Sequence, residues 1–95
     1  MTKISFEHKF SIGQTVWLIM LGANYLWRVR KKRGFKIIAC DFYIFGDTRR
    51  NYYFFEKYRS SYPVFEEDVF SSFEEAEAEC DRLNAERLKP HNGVL

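Results

Sequence analysis

The chain has 95 residues, which is enough for one domain with a modest core and too few for two. Its longest uninterrupted apolar run, Val16–Leu21, is far shorter than the roughly 20 residues that a membrane-spanning helix needs. The first ten residues alternate between polar and apolar types and lack the apolar block of a signal peptide. We therefore expect a single cytoplasmic domain, residues 1–95, without a membrane segment.

A net charge of +2 conceals an uneven distribution of charged residues. Residues 1–60 carry 12 Lys/Arg against four Asp/Glu, whereas residues 61–95 carry three against nine. This asymmetry has two interpretations, since the basic part either offers a surface to a polyanion or attracts the acidic part within the fold.

The sequence contains no pattern that is typical of catalysis or metal binding. Cys40 and Cys80 have no metal-ligand spacing and form no CxxC pair, so we expect two buried, reduced thiols. His8 and His91 lie near opposite ends of the chain, and no glycine-rich phosphate loop occurs. The acidic run at residues 66–68 is expected to be solvated. We expect no metal, no cofactor and no enzymatic activity.

The first part of the chain predicts a β-sheet over residues 3–65. Residues 4–12 alternate strictly, which indicates an extended segment with one buried face that includes His8 and Ile12. After Gly13, residues 14–21 read as one strand buried on both faces, and a turn follows at residues 21–24. In residues 25–31, Tyr25, Trp27 and Val29 share one face, and the arginines between them point away from it.

Basic residues are concentrated where this strand turns into the next. The predicted set comprises Arg28, Arg30, Lys31, Lys32, Arg33 and Lys36, joined by Arg49 and Arg50 after a later turn. Such a cluster either binds phosphates or forms a solubilising tip that also discourages edge pairing.

The centre of the chain predicts a long hairpin, with strands at residues 35–45 and 51–58 and a loop at residues 46–50. Strict alternation on the first strand gives two faces, of which one holds Ile38, Cys40, Phe42 and Ile44, and the other holds Phe35, Ile37, Ala39, Asp41, Tyr43 and Phe45. A strand that is apolar on both faces is either covered on both or lies under a partner. Function therefore depends on whether Tyr43, Phe45, Tyr53 and Phe55 are exposed.

The chain has ten Phe, six Tyr and two Trp, more rings than a domain of this size is expected to bury. The predicted aromatic binding residues are Tyr25, Trp27, Tyr43, Tyr52, Tyr53 and Phe55. Exposed rings of this kind stack on the bases of single-stranded nucleic acid or anchor a protein interface.

A short last strand at residues 64–65 and a helix at residues 72–89 complete the prediction. Ser72 and Glu75 have the spacing of a capping box. The apolar stripe of the helix consists of Phe73, Ala76, Cys80, Leu83 and Leu88. Pro90 ends the helix, and residues 90–95 are expected to form a tail.

The order of two motifs carries a resemblance. The segments Phe10-x-Ile12-Gly13-Gln14-x-Val16-Trp17 and Val69-Phe70-Ser-Ser72-x-Glu74-Glu75-Ala76 resemble those of small Src-homology-3-like barrel proteins of bacterial mobile elements and phages. The resemblance implies a barrel that closes with a short strand and a terminal helix. Members of this group bind proteins or nucleic acids, and phage-borne examples include inhibitors of host defence such as anti-CRISPR proteins.

We therefore expect an α+β fold, with a small, strongly bent antiparallel sheet or Src-homology-3-like barrel of about five strands and one C-terminal helix. Its expected function is non-catalytic binding of a protein or ribonucleoprotein through a basic, aromatic surface, with inhibition of a host CRISPR nuclease in the host cytoplasm as the role that the resemblance implies. Nucleic acid is a possible partner. The alternative is a protein interaction module, or a homodimer, that uses an exposed aromatic sheet face. The expected oligomeric states are monomer or homodimer.

Overall fold

The computed structural model describes residues 7–58 and 63–87. Within them the chain forms six strands, one 3-10 turn at Glu66–Asp68 and one helix. The elements are β1 (Thr15–Val16), β2 (Ile19–Leu21), β3 (Trp27–Val29), β4 (Phe35–Phe45), β5 (Thr48–Phe55), β6 (Val64–Phe65) and α1 (Phe73–Arg87). The predictions for residues 4–6, Leu88 and the tail at residues 90–95 lie outside the described residues.

The predicted α+β architecture is confirmed. β1, β4, β5 and β6 form one antiparallel sheet in that order, and the sheet curls strongly into a half-barrel. β2 and β3 form a second, two-stranded sheet. The short last strand is present at its predicted position.

The single strand predicted at residues 14–21 is wrong, because the chain changes sheets in its middle. β1 pairs with the start of β4, whereas β2 pairs with β3. Between them, Trp17 forms an isolated bridge with Phe70. Val16 and Leu18, the residues before and after this bridge, are both buried. The apolar run is therefore a segment that passes through the core as it changes sheets, and not a strand covered on both faces.

The core lies on the inner side of the curled sheet. Its buried side chains are Phe10, Val16, Leu18, Phe35, Ile37, Tyr53, Phe55 and Val69. Full burial of each large apolar side chain contributes about 1.5–3 kcal/mol. Ala76 and Cys80 are also buried, which places the predicted helix stripe toward the protein interior.

A β-bulge in β4 changes which residues face this core. Ile37 pairs with Phe55, but the next pair is Ala39 with Phe54, so Ile38 is an extra residue without a partner on β5. The residues before Ile38 and those after it therefore alternate with opposite parity. We call the core side of β4 and β5 the inner face and the opposite side the outer face.

The predicted alternation on β4 is consequently wrong across the bulge. Cys40 lies directly opposite Tyr53 and packs against the core, on the same side as Ile37. Phe42 follows Cys40 on the inner face, where its ring lies against His8. Tyr43 lies on the outer face, and Phe45 follows it there by register.

The predicted five-residue loop of the central hairpin is also wrong. Phe45 pairs with Thr48, so the turn contains only Gly46 and Asp47. Gly46 has φ 65°, as the first central residue of a type II′ turn requires. Thr48, Arg49 and Arg50 therefore belong to β5, and both arginines lie on the strand rather than in a loop.

The helix begins as predicted and packs on an unexpected neighbour. Ser72 Oγ accepts the Glu75 backbone N–H at 3.1 Å, which confirms the N-cap. The Glu75 carboxylate instead accepts hydrogen bonds from the backbone N–H and hydroxyl of Ser71, and these bonds lower its pKa. α1 packs mainly against β3 of the small sheet.

The Asn84 side chain attaches α1 to β3 by bonding both backbone polar groups of one β3 residue, as the backbone of a neighbouring strand would. Its Oδ1 accepts the Trp27 backbone N–H at 2.7 Å, and its Nδ2 donates to the Trp27 carbonyl at 2.9 Å. The sequence analysis missed this residue, since Asn84 lies 57 positions from Trp27 and belongs to no apolar stripe.

Residues 7–10 are attached to the sheet by a polar cluster around Glu66. Its carboxylate accepts hydrogen bonds from the Tyr53 hydroxyl, the Lys9 backbone N–H and the Asn51 side chain. The Tyr53 hydroxyl also accepts the Phe10 N–H at 3.1 Å. The burial of Phe10 fits the predicted alternation.

The rest of the predicted N-terminal strand agrees only in part. His8 is half-buried, and its ring lies against Tyr53, as expected for a residue on the apolar side. Ile12 is 64% exposed, contrary to the prediction, because residues 11–14 turn back on themselves through the Gln14 N–H to Ser11 carbonyl hydrogen bond.

The Glu66 cluster makes stability depend on pH. Burial by itself raises the pKa of Glu66, but the hydrogen bonds from Tyr53, Lys9 and Asn51 outweigh it and hold the pKa below its usual value. A lowered folded-state pKa contributes stability above the unfolded-state pKa, and this contribution is lost as the pH falls through the folded-state value.

We expect Glu66→Gln to lower the free energy of unfolding at pH 7 by about 1 kcal/mol, because the charged hydrogen bonds are weakened. The difference from the unchanged protein should shrink as the pH falls below the usual pKa of a glutamate and through the lowered pKa of Glu66. Urea unfolding across this pH range measures both. Glu56→Gln, at an exposed carboxylate outside the cluster, is the matched control, and equal effects of the two variants at all pH values would contradict this assignment.

Candidate interaction surface

The outer face carries five aromatic rings, which we call the outer aromatic face. Its members are Tyr43 and Phe45 on β4, Tyr52 and Phe54 on β5, and Phe65 on β6. Tyr52 pairs directly with Phe65, so the group spans three strands. Tyr43 and Phe54 are each 41% exposed, and Phe45 is 81% exposed.

The rings hold one another in place. The centroid of Tyr43 lies 6.4 Å from that of Tyr52 and 6.2 Å from that of Phe65. Tyr52 in turn lies 5.7 Å from Phe54, edge to face. Contacts of this geometry are worth about 0.5–1.5 kcal/mol beyond burial, so these exposed rings are supported in their positions by their neighbours.

Charged residues border the rings and are paired with one another. Arg50 lies opposite Tyr43 and holds its guanidinium 3.6 Å from the Phe65 ring centroid. It also forms an ion pair with Glu67, and hydrogen bonding to that carboxylate raises the pKa of Arg50. Burial, followed by the charge of Asp41 across the strand pair, raises the pKa of Tyr52. An aromatic centre with a polar border is typical of a protein interface.

The exposure predicted for two of the aromatic residues is wrong. Tyr53 is 1% exposed and Phe55 is 4% exposed, because both alternate inward between Tyr52 and Phe54. Burial, supported by the hydrogen bond to Glu66, raises the pKa of Tyr53 above its usual value. These two rings hold the core together and do not contribute to a surface.

The other two predicted aromatic residues lie on the small sheet. Tyr25 is 62% exposed in the turn between β2 and β3, where the Arg87 guanidinium lies 5.2 Å from its ring centroid. Trp27 is half-buried on β3 beneath α1. The six predicted residues are therefore not one surface, and only Tyr43 and Tyr52 belong to the outer aromatic face.

The predicted basic set divides into two groups. Six exposed residues lie on β3, on the turn between β3 and β4, or at the start of β4, and we call them the basic loop: Arg28, Arg30, Lys31, Lys32, Arg33 and Lys36. The Arg28 side chain lies beside Gly22, at the other end of β3 from the turn. Arg49 and Arg50 lie opposite the other end of β4, roughly 25 Å along the strand at 3.3 Å per residue. Both are half-buried, and the Arg49 guanidinium lies 4.1 Å from the Phe42 ring centroid. Their assignment to the basic tip is wrong.

The turn of the basic loop has a defined geometry. The Gly34 N–H donates to the Lys31 carbonyl at 2.9 Å, and the Trp17 indole N–H donates to the Lys32 carbonyl at 2.8 Å. Gly34 has φ 75°, and a Cβ at this position would lie 2.6 Å from the Val16 carbonyl oxygen. Only glycine fits here, since both the backbone angle and the contact exclude a side chain.

No metal-binding group of three or more His, Cys, Asp or Glu side chains occurs within residues 7–58 and 63–87. Cys40 and Cys80 are free thiols, of which Cys80 is buried, as predicted, whereas Cys40 is only half-buried. None of the helical segments in the described part of the chain has the length and apolar character to cross a membrane.

Comparison with known protein families, with curated protein sequences and with solved structures finds no match to this chain. The resemblance to Src-homology-3-like proteins of mobile elements and phages therefore stays a prediction.

The turn at Gly34 can be tested against a matched glycine. Gly46 also has positive φ, but a Cβ there meets no atom within 4 Å. We expect Gly46→Ala to lower the free energy of unfolding by about 1 kcal/mol, which is the cost of the backbone angle alone. Gly34→Ala should cost about 1–3 kcal/mol more, because its Cβ overlaps Val16. Equal losses for the two variants in chemical denaturation would contradict the close contact at Gly34.

Proposed function

We propose that this chain is a non-catalytic binding module that docks onto a protein partner through the outer aromatic face. The observation that carries the proposal is the exposure of Tyr43 and Phe54 within a group of rings in mutual contact, next to Phe45, which is more exposed still. Tyr and Arg are frequent energetic anchors of interfaces, and Arg50 lies against the ring of Phe65.

The size of the surface limits the kind of interface. The exposed parts of Tyr43, Phe45 and Phe54 amount to on the order of 300 Å² if each ring side chain spans about 200 Å². At 25 cal/mol per Å² their burial yields about 8 kcal/mol, which lies within the estimated 4–15 kcal/mol cost of association. The rings therefore suit the centre of a larger interface of about 800 Å² per partner, with Arg50, Glu67 and Asp41 at its border.

Mutual support of the rings favours a binding role over a loose apolar patch. Their contacts limit the rotamers available to Tyr43 and Tyr52 before any partner arrives, so little side-chain entropy is lost on docking. Inhibition of a host CRISPR nuclease, which the resemblance implies, is one form of this function and predicts a ribonucleoprotein as the partner. A second copy of the chain is the other form.

We expect Phe45→Ser combined with Phe54→Ser to weaken partner binding at least tenfold, because two exposed rings are lost while the core stays intact. A photo-crosslinking residue at position 45 captures partners in extracts of the host cell. Each captured protein is then purified, and its affinity for the unchanged chain and for the double variant is measured by titration. Light scattering over a range of concentrations determines whether the partner is a second copy.

Ile12→Ser is the matched control, since Ile12 is 64% exposed and lies outside the outer aromatic face. It should bind the partner as the unchanged chain does. If the double variant retains full affinity, or if Ile12→Ser loses as much, the outer aromatic face is not the docking surface. Circular dichroism spectra and unfolding midpoints verify that all variants are folded.

A further inference from the structure

We propose that the basic loop is a second and independent binding site, which receives the phosphodiester backbone of a nucleic acid. It lies at the opposite end of β4 from Arg50 and the turn at Gly46, so a ligand on the loop leaves the outer aromatic face free. The inference does not depend on a protein partner.

The described ion pairs decide between the two interpretations of the charge asymmetry. Arg50 pairs with Glu67 and so joins the basic part of the chain to the acidic part. Arg82 pairs with Glu79 and Glu86 on its own helix. In residues 7–58 and 63–87, no member of the basic loop forms a salt bridge. Attraction between the two parts of the chain therefore leaves these six cations without neutralising partners, and a polyanion is their natural counterpart.

The loop is also held more firmly than a solubilising tip requires. The indole of Trp17 binds the Lys32 carbonyl, and Gly34 closes the turn against Val16. The Arg30 guanidinium lies 4.6 Å from the Tyr58 ring centroid and donates to its hydroxyl at 3.3 Å. The Lys31 ammonium lies 5.2 Å from the Phe35 ring centroid. Cations fixed in this way lose less entropy when they meet phosphates.

The composition of the loop predicts the mode of binding. Lysine and arginine contact phosphates through charge, which gives affinity without base recognition. Tyr25, at the far end of β3, is the exposed ring on the same small sheet, and a ring of this kind stacks on any base. The site should therefore tolerate sequence changes in its ligand. The six residues of the basic loop can contact at most six phosphates. The slope of log K against log salt should therefore be no steeper than about −4 with single strands and about −5 with B-form DNA.

The test uses a fluorescent thymidine oligonucleotide of about 20 nucleotides and a duplex of about 20 base pairs, titrated by anisotropy at several salt concentrations. We expect binding of at least one probe at about 50 mM salt, with a slope between about −2 and −5. Lys31→Glu with Lys32→Glu should weaken binding at least tenfold at this salt concentration and flatten the slope by about 1.5–2, because two phosphate contacts are lost. The probe that binds more tightly shows whether the ligand is single-stranded or duplex.

Lys9→Glu with Lys57→Glu is the matched control, since it changes the net charge by the same amount at two exposed residues that lie outside the basic loop and outside the described salt bridges. It should retain most of the affinity. If neither probe binds at about 50 mM salt, or if the two double variants weaken binding equally, the site is not the basic loop. The variant with both Phe45→Ser and Phe54→Ser should bind nucleic acid unchanged, so failure of this inference is distinguishable from failure of the proposed protein docking. Unfolding midpoints exclude misfolding as the cause of any loss.

Discussion

The extra residue in β4 determines which aromatic rings the protein hides and which it exposes. Without Ile38 as an unpaired position, Ile37 and Cys40 would face opposite sides of the sheet, and only one of them could pack against the core. With it, Ile37 and Cys40 both face inward, opposite Phe55 and Tyr53. The rest of the β4–β5 hairpin follows from this register.

The same register places neighbouring residues of β5 on opposite faces of the sheet, where they have different roles. Tyr53 lies in the core and donates to Glu66, which ties residues 7–10 to the sheet. Tyr52, one residue earlier, lies on the outer aromatic face beside Phe65. Because β4 is long, it also separates this face from the basic loop at its other end, so one strand pair carries two surfaces of different chemistry.

Local signals predicted much of this fold. Two aromatic and β-branched runs predicted the β4–β5 hairpin, and the spacing of Ser72 and Glu75 predicted where α1 begins. The sequence does not indicate where the bulge lies, because Ile38 and Ala39 are both apolar and either of them could face the core. Period-two reasoning therefore misassigned the inner face.

Long-range contacts were equally beyond the reach of sequence patterns. Asn84 contacts Trp27, and Glu67 contacts Arg50. Both pairs are far apart in the sequence, whereas hydrophobic periodicity reports only on neighbouring residues. The candidate residues agree with the structure only in part. Tyr25, Trp27, Tyr43, Tyr52 and the basic loop are exposed or half-buried. Tyr53 and Phe55 are buried, and Arg49 and Arg50 lie on β5 instead of in a loop.

In the register that the bulge defines, β5 alternates between an exposed outer face and a buried core face. Hydroxyl-radical footprinting read by mass spectrometry tests it at single-residue resolution. The structure predicts rapid oxidation of Phe45 and Phe54 and strong protection of Tyr53 and Phe55 on either side of Phe54. Protection of Phe54 together with oxidation of Tyr53 and Phe55 would contradict the register, and with it the outer aromatic face.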